Sequence, residues 1–153
     1  LLRQPDLPAA RALLESAPAG GGFHFTLAGR GEGGRIEVAS AEVGAGRCAW
    51  RRLEGPALHA NHCLRLDLPQ VITDSSADRQ RRGEALLAAG VRDPLALLHD
   101  TGGEGLPVLR RDPDDPDEEN TLATALFRIA AQGVTWRIQV PGEAGIRQGS
   151  GAG

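Results

Sequence analysis

The chain contains no methionine, no tyrosine and no lysine, and arginine supplies all 17 basic residues. The codons of the three missing residues are AT-rich, so the pattern points to a GC-rich gene. With Leu at position 1 and no Met anywhere, a truncated or processed chain is expected. Aromatic residues make up only 3%, which leaves Leu, Val, Ala and Ile to build a core. No apolar run approaches the roughly 18 residues of a membrane-spanning helix, and no signal peptide is visible. No basic stripe interleaved with aromatics exists either. The net charge is −3, and the arginines stand beside Asp and Glu, so neither a nucleic acid nor a membrane is an expected partner. Cys48 and Cys63 are too few for a disulfide framework, and a reducing, cytoplasmic setting is the expectation.

What is present is ordinary for a folded domain: 41% hydrophobic and 24% charged residues in 153. A chain of this length buries about 68–70% of its unfolded surface, and one domain is expected over residues 1–142, followed by a flexible tail over 143–153. Asp6-Leu7-Pro8 opens a first helix, with Asp6 as its cap, Pro8 in the first turn and Leu13 and Leu14 on its apolar face. Pro18-Ala19-Gly20-Gly21-Gly22 breaks it. Residues 23–28 and 35–39 alternate with period two around a Gly-rich turn at 29–34, a hairpin with Ile36 and Val38 inward. A third strand is expected over 47–53, with Cys48 and Trp50 on one side or in a loop edge, and a fourth over 57–64.

After Pro69 the pattern changes. Ser75-Ser76-Ala77-Asp78 precedes a helix over 79–89 that ends at Gly90. Asp93-Pro94 starts a short helix that ends near His99. A brief strand follows at 106–110, an acidic, Pro-containing loop at 112–120, and a last hairpin over 121–129 and 134–140. The predicted class is α+β, with mostly antiparallel strands and flanking helices.

The densest polar cluster is His59-Ala60-Asn61-His62-Cys63. It admits a zinc site through His59, His62 and Cys63, though zinc needs three or four converging ligands. It admits a Cys63 nucleophile with a neighbouring histidine as base, although adjacent residues rarely reach that geometry. It also admits Asn61 as a neutral donor to a developing oxyanion. The plain alternative is that these side chains cap a strand end and satisfy loop backbone groups.

The order of several segments resembles the C-terminal part of the acyl-coenzyme A:6-aminopenicillanic acid acyltransferase-like family (peptidase family C45). Phe23-His24-Phe25-Thr26-Leu27-Ala28-Gly29 with Gly34-Arg35-Ile36-Glu37-Val38 is similar to the family hairpin that ends in an acidic residue. His59-Ala60-Asn61-His62 followed by Leu64 matches a His-x-Asn-His segment. Ser75-Ser76 with Arg79 and Arg82 resembles the Ser-rich start of the next helix. Thr121-Leu122-Ala123-Thr124 and Val134-Thr135-Trp136 resemble the last two strands.

The resemblance implies part of an αββα N-terminal-nucleophile hydrolase sandwich, acting on a small-molecule acyl amide or thioester through an acyl-enzyme. By position, Asn61 becomes the oxyanion donor, His59 and His62 shape its loop, and Thr121 is a possible pocket hydroxyl. The nucleophilic Cys is not among these residues: Leu1 is not Cys, Ser or Thr, and Cys63 reads as a small packing residue. A missing N-terminal segment of the same protein is therefore the expected partner, and the isolated chain should be inactive. No cofactor and no metal are expected. The alternatives are a non-catalytic binding module that retains the fold, and a zinc protein.

Overall fold

The computed structural model describes residues 1–16, 20–31, 34–111, 118–143 and 145–151. These form two compact units, Leu1–Ile72 and Thr73–Gly153, within what the sequence presented as a single domain. Each unit holds a three-stranded, wholly antiparallel sheet, with one helix in the first unit and two in the second among the described residues, and the fold is α+β. No helix among the described residues is long and apolar enough to cross a membrane.

The first unit begins with α1, Leu7–Ser16. Asp6 caps it as expected, its Oδ1 accepting from Ala9 N at 2.8 Å. The buried face is Leu7, Ala10 and Leu14, the i, i+3, i+7 spacing of a helical stripe. Leu13, expected on that face, points outward because it is one residue round the turn from Leu14.

Strands β1 (Phe23–Arg30), β2 (Ile36–Gly44) and β3 (Arg47–Leu53) follow in sequence order. The β2–β3 connection is two residues, Ala45 and Gly46, both at positive φ (48° and 71°). That left-handed pair is the turn whose twist matches antiparallel strands. The sheet has two unlike faces. Ala41 and Val43 of β2 pack with Leu14 of α1, with Phe25, Leu27 and Trp50 around them. Cys48 and Trp50 lie on one side, as expected. On the opposite face stand His24, Ser40 and Glu42, with His24 paired to Glu42 across the strands. Ile36, predicted inward, is 38% exposed at the strand end, and the buried stretch of β2 starts only at Ala39.

The expected strand at 57–64 does not form. This stretch is irregular, and the N–H of its last residue, Leu64, is taken with those of Arg65 and Leu66 by the Glu42 carboxylate rather than by a neighbouring strand.

In the second unit, α2 spans Asp74–Ala88 and starts earlier than predicted. Thr73 is its cap, accepting from Ser76 N, so the Ser75-Ser76 pair lies inside the first turn. Helix α3, Pro94–Leu98, is capped by Asp93 and ends at His99 as expected. The predicted strand at 106–110 is absent. Its N–H groups go to Asp78 Oδ2 (from Leu106), Asp100 O (from Leu109) and Thr121 Oγ1 (from Arg110). Strands β4 (Thr124–Ala130) and β5 (Gly133–Gln139) form the expected hairpin. The flexible tail predicted at 143–153 is corrected for Ile146–Gly151, which forms β6 against β5. The acidic residues 112–117 lie outside the described residues.

Candidate functional site

The polar face of the first sheet is covered by residues 58–68, and the cover is built around Glu42. Its side chain is fully buried, at 0% exposure. Oε1 accepts from His59 Nε2 at 2.8 Å and from Leu64 N at 2.9 Å. Oε2 accepts from Arg65 N at 2.8 Å and Leu66 N at 2.9 Å. Arg65 Nη1 lies 3.6 Å from the carboxylate. Burial alone works to raise the Glu42 pKa. The three backbone donors and His59 outweigh it and hold the group down at about 2, because they stabilise the charged form.

A second chain of contacts runs beside it. Arg65 Nη2 donates to Ser40 Oγ at 2.9 Å, and Ser40 Oγ lies 2.8 Å from His24 Nε2. The His24 ring stacks flat on His59. By distance, Ser40 and His24 make a nucleophile–base pair. However, Ser40 is buried at 5% exposure. Its hydroxyl links Arg65 to His24.

Both ring nitrogens of His59 have partners: Nε2 lies 2.8 Å from Glu42 Oε1, and Nδ1 faces the Ala60 carbonyl at 2.7 Å. Among the described residues, no group of three or more His, Cys, Asp or Glu is placed to hold a metal ion.

Above this layer is a cleft of about 290 Å³ whose lining includes Phe23, His24, His59, Asn61, His62 and Cys63. Asn61 stands on its exposed rim, and His62 and Cys63 are half-buried. Burial, and then the charge of Glu42, push the Cys63 thiol pKa up, with Arg65 opposing. This is the reverse of what a thiolate nucleophile needs. The Gln70 side chain grips Cys63 by both backbone groups, accepting from its N–H at 2.8 Å and donating to its carbonyl at 3.0 Å. Leu68 also lines the cleft, and a Cβ on Gly44 would meet its Cδ1 at 2.6 Å.

The structure thus brings His59, Asn61 and His62 to one cleft. Thr121 lies in the second unit, where its N–H donates to Arg110 O at 2.9 Å and its Oγ1 accepts from Arg110 N at 3.1 Å. The residue that sequence reasoning missed is Glu42. Glu37, the acid quoted in the hairpin motif, sits at the other end of β2 and pairs with exposed Arg52 at 3.4 Å. The available signal for Glu42 was its setting among small and apolar neighbours, Ala39 to Val43, in mid-strand.

An α+β chain whose densest polar cluster surrounds an Asn beside a cleft is compatible with acyl-transfer chemistry. The sequence model of the acyl-coenzyme A:6-aminopenicillanic acid acyl-transferase family matches residues 7–143. The chain belongs to this family, which is of the acyltransferase/hydrolase kind. No curated protein and no solved structure matches it significantly.

Proposed function

We propose that this chain is part of a cysteine-dependent amide hydrolase or acyltransferase of the N-terminal-nucleophile type, in which Asn61 is the oxyanion donor. The observation that carries the reading is the placement of Asn61 on the open rim of the cleft, in a loop tied to the buried Glu42. In this reading a Cys at the start of a processed chain, outside residues 1–153, attacks the carbonyl carbon of an amide or thioester. A C–S bond forms, and the carbonyl electrons move to oxygen. The Asn61 side-chain N–H donates to that oxyanion. Collapse breaks the C–N or C–S bond of the substrate, and the departing amine or thiol takes a proton. Water or an acceptor amine then attacks the acyl-enzyme, releasing the thiol. His59 and His62 keep the loop in shape.

The test is a steady-state assay of the full-length protein on small acyl amides and thioesters. Asn61→Ala is expected to lower kcat by about 10²–10³, the cost of losing one oxyanion donor, with KM little changed. An unchanged kcat would overturn the role of Asn61. Binding without any turnover would favour a non-catalytic module.

A further inference from the structure

We propose that Glu42 is the positioning residue for Asn61: its buried carboxylate gathers His59 and the backbone of residues 64–66, and so fixes the loop that presents the Asn61 amide to the cleft. The inference rests on reading Asn61 as the oxyanion donor.

The geometry is specific. One oxygen, Oε1, accepts from both His59 and Leu64, so the two ends of the segment 60–63 meet on a single atom. Asn61 stands in that bridge. The other oxygen takes the next two N–H groups, of Arg65 and Leu66. Successive amides converging on an anion form a backbone nest, here filled by the chain's own side chain. Gln70 supplies a further anchor at Cys63. The segment carrying Asn61 is thereby held at 59, at 63 and at 64–66, although it has no regular secondary structure of its own.

Glu42 cannot touch a substrate. It is fully buried, and each oxygen already accepts two hydrogen bonds. It acts only through the loop. A donor that must meet an oxyanion present only in the transition state has to be held in place beforehand. The charged and titratable groups around Glu42 are His24 from β1, and His59, Cys63 and Arg65 from the covering segment. A carboxamide of the same shape cannot substitute. It has one acceptor oxygen and one N–H₂ group, so one of the two donor pairs would face another donor.

Glu42→Gln in the full-length protein tests this with two readouts. Alkylation of Cys63, followed by peptide mass with Cys48 of the same unit as reference, is expected to accelerate about tenfold or more, while Cys48 keeps its rate. Turnover is expected to fall about tenfold or more in kcat with KM held within about twofold, because a misplaced donor costs the transition state and not substrate binding. An unchanged Cys63 rate overturns the hold on the loop, and a faster Cys63 rate with unchanged kcat overturns the positioning role. Should Asn61→Ala alone leave kcat intact, the oxyanion reading fails, and the pair of variants keeps that failure separate. If Glu42→Gln does not fold, an acid titration of the wild-type protein by amide NMR decides. The N–H signals of Leu64, Arg65 and Leu66 are expected to shift together with the Glu42 carboxyl, below the range of exposed carboxylates. Three unrelated midpoints overturn the proposal.

Discussion

The imidazole rings of His24 and His59 stack with their centroids 3.5 Å apart and 4° between their planes, one ring from β1 and the other from the segment that covers it. Burial pushes the His24 pKa down from 6.5 to about 4, helped by His59 and Arg65 and opposed by Glu42. Stacking two rings that could both be charged, next to an arginine, requires that one stay neutral.

A pH dependence follows. The folded state holds His24 neutral where the unfolded chain binds a proton, so this contribution to stability is complete above pH 6.5 and falls as the pH drops towards about 4. Glu42 adds a lower limb with the same sign. Its folded pKa is depressed from 4.5 to about 2, so its contribution is full above 4.5 and is lost as the pH falls towards 2. Thermal unfolding is expected to show a Tm that declines from pH 7 to pH 4.5 in the wild type and declines less in His24→Asn. Parallel slopes in the two proteins would contradict this assignment.

The two neighbouring leucines of α1 separate core from surface. Leu14 packs against Ala41 and Val43, whereas Leu13 is exposed. Leu14→Ala is expected to cost about 2–5 kcal/mol in urea denaturation, the range for a buried leucine. Leu13→Ala should stay within about 0.5 kcal/mol. Equal effects would mean that the helix face has been assigned wrongly.

In the second sheet Trp136 lies over Gly149 of β6. A Cβ at Gly149 would come within 2.5 Å of the indole Cζ2. Gly149→Ala is therefore expected to push the indole outward. In a Trp50→Phe background, the fluorescence of Trp136 should shift to the red and the Tm should fall. An unshifted spectrum would show that the glycine is not needed for the close approach.

Local signals in the chain were reliable where the partner is a near neighbour. Asp6 caps α1 and Asp93 caps α3 through groups two or three residues away. The hairpin of β1 and β2 follows from alternation. Residues 57–64 and 106–110 also carried strand-like patterns, but an N–H group at one end of each found its acceptor far along the chain. Leu64 reaches back 22 residues to Glu42, and Leu106 reaches back 28 to Asp78. A backbone group takes whichever acceptor the fold brings near, and no window of local sequence contains that information.

By itself, the sequence determined the α+β class, most of the helices and strands, the absence of a membrane-spanning helix pattern, and the segment 59–63 around which the cleft is built, because periodicity, caps and turn residues act over short distances. Only the tertiary structure decided what that segment rests on. An acid in mid-strand has the same local pattern whether it faces water or a closed interior. Glu42 became the centre of the site because the first sheet turned its polar face inward and residues 58–68 folded over it, satisfying a buried charge that could not otherwise remain there.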